Sequence, residues 1–408
     1  MPVKILHITA HLGGGVGKAH SALCAADDTD VQRHYLLLEP PHDRRYADAM
    51  EQAGVPLTIA PDAAAARELV AQADIVQIEW WNHPRLYECL CRWELPETRT
   101  VIWSHISGLS APYIPAALLS APCRFLFTSA CSLAGAAVRS LPPEGHAGIG
   151  VINSGFGFSS LPAPFAPRAR SIGYLGTVDF SKLSPDFFAV IDRAAADRPV
   201  SVWGQADADG EVLRRAAAMR HPGLVRFHGQ AEDPESALRD VGIFLYLLRS
   251  DHFGTAENAL IEAMSLGCVP LTFANPAERA IVEHGRTGFV EADVETAADR
   301  LQWMLNHPRE MEEMARAAAD AMAATRSARQ SANDFAAVYR AVLAMPKRMI
   351  DYTAILGSTP AEWFLSTRGG EAFNGELAGP ARKGALAHFA HCFPNDASLR
   401  SLPRSTQS

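Results

Sequence analysis

Apolar residues in this chain gather into short runs separated by stretches of helical length. Val3 to Ile8, His34 to Leu38, Ile75 to Ile78, Thr100 to Trp103, Arg124 to Phe127 and Gly150 to Ile152 read as strands. Between them lie candidate helices such as Val16 to Ala25, Ala64 to Gln72 and Ser132 to Arg139. A second alternating series follows: Ser171 to Leu175, Val200 to Trp203, Leu224 to Phe227, Ile243 to Leu248 and Val269 to Phe273, with further helices from Glu295 to about Leu343. The run Ile243 to Leu248 is apolar throughout, as a strand covered on both faces of a parallel sheet must be. Strand–helix alternation predicts an α/β fold of two doubly wound parallel sheets. Ser, Pro, Gly and Phe without any period fill the stretch between the two series. The expected division is therefore a first domain over 1–155, a linker over 156–170, a second domain over 171–345 and an appendage over 346–408.

A chain of 408 residues is too long for one core and fits two domains of ordinary size. With 48% hydrophobic and 20% charged residues it has the composition of a folded protein. The net charge of −8 argues against a nucleic-acid partner, whose surface would be basic. Seven cysteines are scattered without metal-site spacing, and Cys89 and Cys91 would diverge on a helix. They read as reduced, packed thiols of a cytoplasmic protein. The first residues read as a strand rather than a signal peptide, and no apolar run nears the roughly 20 residues of a membrane span. Peripheral contact with the inner face of a membrane stays open.

The run from His252 to Leu271 carries the most chemistry. It follows the continuous apolar strand, opens a helix for which Thr255 is the expected N-cap, and closes at Gly267 before the next strand. A strand, a turn and an exposed helix N-terminus make a phosphate seat, because free N–H groups and the helix dipole point there. Helical spacing places Asn258 and Glu262 on one face, with Glu257 on another. Glu262-Ala263-Met264 with Gly267 and Pro270, followed by Ala277 to Val290, resembles the donor-binding segment of family 4 glycosyltransferases, retaining enzymes of the GT-B fold. The resemblance implies two Rossmann-like domains facing each other across a cleft. It also implies that Glu262 binds the nucleotide ribose and that an acid eight residues earlier contacts the donor sugar. Here that earlier position is Gly254.

Other constellations take their meaning from that resemblance. Gly13 to Gly17 with Lys18 follows the first strand; Leu12 and Ala19 exclude a phosphate-loop nucleotidase, and Lys18 stands where a dinucleotide fingerprint needs its third glycine. The family implies that Gly14 and Gly15 approach the donor phosphate or the acceptor, against the plainer reading of a tight turn. In Gly173 to Lys182 the family has an Arg and a Lys that hold the diphosphate; Lys182 matches the second, and Thr177 replaces the first. His105, just past a strand end, matches a family histidine that faces the donor sugar, the alternative being a ring satisfied by its loop. Glu79-Trp80-Trp81-Asn82-His83 offers rings for an acceptor or simply buried tryptophans. The acidic triplets at 28–30 and 207–209 lack the strand-end placement of a metal-binding pair, so no metal and no cofactor is expected. The expected function is transfer of a sugar from a UDP- or GDP-sugar to a polysaccharide, glycolipid or lipid-linked acceptor. The rivals are a sugar-nucleotide epimerase of the same fold and a catalytically silent partner protein.

Overall fold

The computed structural model describes residues 2–27, 30–41, 43–155, 158, 162, 164–194, 198–252, 254–370 and 384–402. Among the described residues, thirteen strands form two parallel sheets. The first contains β1 (Val3–Thr9), β2 (Val31–Leu37), β3 (Leu57–Ile59), β4 (Ile75–Trp80), β5 (Thr100–Ser104), β6 (Arg124–Phe127) and β7 (Ile149–Val151), in the order β3-β2-β1-β4-β5-β6-β7. The second contains β8 (Ile172–Leu175), β9 (Val200–Trp203), β10 (Val225–Phe227), β11 (Ile243–Tyr246), β12 (Val269–Phe273) and β13 (Phe289–Glu291), in the order β10-β9-β8-β11-β12-β13. Strand order reverses between β1 and β4 and again between β8 and β11. Ligands of open α/β sheets bind at such switch points, beyond the carboxyl ends of the strands.

The expected strands are present, and two more lie outside the expectation. β3 and β13 are three residues each. The stretch Ser132 to Arg139 is not one helix: a 3₁₀ turn at Ala130–Ala134 and a helix at Ala136–Arg139 meet at Gly135, whose extended backbone interrupts them.

Contacts divide the chain into one unit of 1–154, 253–256 and 328–408, and another of 155–252 and 257–327. This differs from the expected boundary at 345. The helix Ala328–Leu343 packs Phe335, Tyr339 and Val342 against Ile5, Leu23, Val101 and Trp103 of the first unit. Its Tyr339 hydroxyl donates to Gln77 Oε1 at 2.6 Å. Residues 346–370 and 384–402 belong to the same unit, where Tyr352, Trp363, Phe364 and Phe389 join Ile78, Leu86 and Tyr87 in one core. The appendage is thus part of the first unit's packing. Lys383 of the appendage, Asp28 and Thr29 of the first acidic triplet, and Phe156 and Gly157 of the expected linker lie outside the described residues. All seven cysteines are free thiols, and no described helix is long and apolar enough to cross a membrane.

In the second unit the helix Asn258–Ser265 ends in a double hydrogen bond. Gly267, at φ +73°, donates to Met264 O at 2.9 Å and Cys268 to Ala263 O at 2.9 Å. That left-handed position suits glycine, which has no Cβ to clash. The carbonyls beyond this turn are taken by Arg168, from the stretch expected to be a patternless linker. Its buried guanidinium donates to Leu266 O at 2.6 Å and to Gly267 O at 3.3 Å, and also to Val241 O. Removing it leaves several buried carbonyls without a donor, at about 1–3 kcal/mol for each one unsatisfied. Arg168→Ala is expected to lower the urea midpoint of the second unit by the equivalent of at least ~2 kcal/mol, with Arg168→Lys recovering only part. An unchanged midpoint in Arg168→Ala would show that the clamp does not hold the helix end.

Candidate active site

Past β11 the chain turns into the helix Asn258–Ser265, and Glu257 occupies the cap position with φ +40° and ψ +59°. A left-handed backbone at a non-glycine residue costs on the order of 1–3 kcal/mol and persists only where surroundings impose it. Here they do. The fully buried Glu257 carboxylate accepts from the Tyr246 hydroxyl at 2.6 Å, and Lys182 Nζ lies 3.0 Å from the same oxygen, Oε2. Its other oxygen, Oε1, has no hydrogen-bond partner among the described residues and lies 3.7 Å from His252 Nδ1. His252 Nε2 in turn lies 3.2 Å from Glu278 Oε1, which also accepts from Asn275 Nδ2 at 3.1 Å. Burial alone would raise the Glu257 carboxyl; Lys182, His252 and the Tyr246 hydroxyl bring it below the ordinary carboxylate value. For His252, burial opposes the charged ring, but Glu278 and Glu257 outweigh it and the ring titrates above its ordinary value. Two carboxylates, an ammonium and an imidazole thus sit together at a strand end.

The structure brings Lys182 and Glu257 into direct contact and begins the helix at Asn258, with the buried Glu262 one turn on. It corrects two expectations. Thr255 does not cap the helix; it groups with the first unit, where its hydroxyl lies 3.4 Å from Thr128 Oγ1. Nor does Glu257 occupy a separate helical face: it precedes the helix in a left-handed backbone, and its carboxylate meets Lys182. Asn258 Oδ1 is buried without a hydrogen-bond partner. Sequence reasoning overlooked Tyr246, His252 and Glu278. A signal was available for Glu278, which lies inside the Ala277 to Val290 segment that carries the resemblance, and for His252, which opens the run from His252 to Leu271.

Gly14, Gly15 and His105 belong to the first unit. The helix Gly14–Ala26 starts at Gly14 with φ +60°, and both glycines are exposed, with open space where a Cβ would stand at Gly14. His105 lies just beyond β5, and its Nε2 is 2.9 Å from Glu79 Oε2. Glu79 is fully buried, and the other oxygen accepts from His7 Nδ1 and Gln77 Nε2, each at 2.9 Å. Burial would raise this carboxyl; the imidazoles of His20, His105 and His7 hold it well below the ordinary value. Trp80 and Trp81 are buried at 0% and 5% exposure, so they form core rather than a platform for sugar rings.

Among the described residues, three histidine groups have ligand atoms within 4.8 Å of one another: His83 with His388 and Cys392, His11 with Glu39 and His83, and His7 with His20 and Glu79. Their ring nitrogens are already assigned. Backbone N–H groups of Gly13, Arg85 and Gly384 donate to Nδ1 of His11, His83 and His388. Arg33 Nη1 lies 3.1 Å from His7 Nε2, where a guanidinium can only donate. A ring nitrogen that accepts a hydrogen bond leaves the ring's proton on the other nitrogen, so these rings present N–H groups rather than lone pairs. Asp207 is engaged locally, its carboxylate accepting from Asp209 N at 3.2 Å in a turn.

The family profile "Glycosyl transferases group 1" matches residues 188–321, the part of the chain that holds the Glu257 helix. No curated protein sequence matches the chain. Among solved structures, Anabaena HepE in complex with UDP and glucose superposes with a TM-score of 0.66 at 14% identity, covering 83% of this chain and 100% of that one. The lipopolysaccharide outer core galactosyltransferase WaaB gives 0.63 at 12% identity over 84% of this chain and 100% of that one. Sucrose-phosphate synthase of Thermosynechococcus elongatus gives 0.61 at 15% identity over 84% and 99%. With its two parallel sheets of seven and six strands, the chain has the GT-B fold, and residues 188–321 carry a glycosyltransferase group 1 domain.

Proposed function

We propose that this protein transfers a hexosyl unit, with retention, from a UDP- or GDP-sugar to a glycan or lipid-linked acceptor. The observation that carries the donor half is the Lys182–Glu257 pair at the head of the helix that also bears Glu262. The UDP bound in HepE favours a uridine nucleotide. In this reading Glu262 takes the ribose hydroxyls. The N–H groups at the start of the helix and the Lys182 ammonium take the diphosphate, which gains charge as the sugar leaves. Gly14 and Gly15 let the backbone approach the phosphate or acceptor. His105 meets the donor sugar, the role that the resemblance gives it. Glu257 replaces the acid missing at Gly254: its buried Oε1 lacks a hydrogen-bond donor, and a sugar hydroxyl supplies one. Asn258 Oδ1, buried and unsatisfied, is a second acceptor in the same place. We place the reaction on the cytoplasmic side, with peripheral contact to the membrane that holds a lipid-linked acceptor.

Glu262→Ala is expected to weaken UDP or GDP binding roughly tenfold to a few hundredfold, since hydrogen bonds to a charged group are worth about 1.5–3 kcal/mol. Calorimetry on folded protein decides this, and equal affinity for both nucleotides in wild type and variant would remove the ribose role. Glu257→Ala separates sugar from phosphate. It frees the Lys182 ammonium from its carboxylate while deleting the sugar acceptor, so affinity for the bare diphosphate should hold or rise and affinity for the sugar-nucleotide should fall. If both fall together, Glu257 supports the helix head and does not read the sugar. Binding of no nucleotide diphosphate at all would favour the silent-partner reading, to which Thr177 and Gly254 already lend weight.

Turnover should be independent of divalent metal, because Lys182 and the helix N-terminus supply the charge a metal would otherwise bring. Activity lost on chelation and restored by manganese would overturn that part of the mechanism and return attention to Asp207 and Asp209.

A further inference from the structure

The Glu79 cluster contains a charge count that fixes the state of one ring. Every element packed around it contributes. His7 comes from β1, His20, Cys24 and Asp27 from the first helix and its end, Arg33 and Tyr35 from β2, Glu79 from β4, His105 from the turn after β5, and Tyr339 from the helix Ala328–Leu343. Asp27 and Arg33 cancel one another in a buried pair at 2.6 Å. Burial pushes the Tyr35 and Tyr339 hydroxyls and the Cys24 thiol up, so all three stay neutral. His7 is held neutral from two directions: burial lowers it to about 3, and Arg33 faces its Nε2, which leaves its one proton on Nδ1 for Glu79.

That leaves Glu79 as a buried negative charge with two rings that could balance it. An unbalanced buried carboxylate is costly, so a proton belongs on one of them. Oε1 is already filled by His7 and Gln77. Oε2 faces both His105 Nε2 at 2.9 Å and His20 Nε2 at 3.1 Å. The two differ in alignment: His105 makes a hydrogen bond, whereas His20 Nε2 makes none and its Nδ1 is engaged by the Tyr35 hydroxyl at 3.0 Å. His105 is also the ring with some exposure, 7% of its side chain, against none for His20.

We propose that Glu79 is a positioning residue that acts through His105, fixing its ring with Nε2–H inward and keeping it doubly protonated. His105 then enters the transfer step as a cation in one orientation. This rests on the reading of His105 as a donor-facing residue, but the pairing itself is tested separately. A carboxylate in contact favours the charged form of its partner, so the proton is present at low pH and lost as pH rises through the elevated value. Replacing that charge should move the loss to lower pH by about one to three units.

The experiment uses the full chain with ¹⁵N-labelled histidine, and His105→Asn identifies the His105 resonances. In wild type the His105 ring should remain doubly protonated through neutral pH and retain the Nε2–H tautomer beyond it. In Glu79→Gln, nearly the same shape without the charge, it should titrate at least one pH unit lower. Glu79→Asp keeps the charge and should fall between, which also covers the case in which the Gln variant fails to fold. A merely structural Glu79 would lower thermal stability in the variants and leave the His105 titration where it was. An unchanged titration, or an Nδ1–H tautomer in wild type, would overturn the proposal. Turnover of the bound nucleotide-sugar is a separate arm. If Glu79→Gln moves the titration while turnover and its pH profile stay put, the pairing holds and the catalytic reading of His105 is what fails. If turnover drops tenfold or more, with UDP affinity within twofold of wild type, both stand.

Discussion

A parallel strand has no face to spare for water. Each strand of both sheets runs parallel to its neighbours, so each sheet must be covered on both sides by its crossover helices. That requirement explains why the helix Ala328–Leu343 leaves the second unit to join the first. Trp103 and Ile5 need a cover, and Phe335, Tyr339 and Val342 supply it. The buried polar side chains within the first sheet, His7, Arg33, Gln77 and Glu79, pair with one another, while His105, Lys182, His252 and Glu257 lie in the turns outside the strands.

Both units then solve the same problem in different ways. A carboxylate at a strand end is buried, and burial resists its charge. In the second unit Glu257 keeps its charge through a lysine, a tyrosine hydroxyl and a histidine that is itself held by Glu278. In the first, Glu79 keeps its charge mainly through imidazoles and an amide. The arrangements differ in what they leave unfinished. Glu257 retains one oxygen without a donor, which suits a ligand hydroxyl. Glu79 is saturated and buried, which suits a residue that acts through its neighbour. Structure and chemistry meet in that difference: the same side chain reads as a contact in one setting and as a support in the other.

The backbone cooperates with these demands. Glu257 adopts a left-handed conformation that a glycine would accept more readily, and its side-chain contacts are what hold it there. The far end of the same helix is fixed by Gly267 and by Arg168 reaching into the last carbonyls. The helix that carries Glu262 is therefore anchored at both ends.

Much of the fold was legible in the sequence, because apolar runs and helical spacings are local. Ile243 to Leu248 has to be a buried strand whatever surrounds it, and the helix closed by Gly267 is legible from its own spacing, while its likeness to a donor-binding segment comes from the resemblance of Glu262-Ala263-Met264 with Gly267 and Pro270. Lys182 and Glu262 were singled out by that resemblance, not by periodicity. The sequence could not say that Glu257 turns back onto Lys182, since a left-handed residue at a helix head is set by what its side chain meets and not by its neighbours in the chain. Nor could it tell that Arg168, in a stretch without pattern, would be a buried clamp, or that residues from 328 onward return to the first sheet. His7, His20, Glu79 and His105 lie as far as 98 positions apart and show no shared spacing. Only the tertiary fold, by setting β1, β4 and β5 side by side with the helix Gly14–Ala26 against them, makes them one cluster. Local pattern determines which elements form; the charge state of a buried side chain depends on partners that only the tertiary fold brings within 3 Å.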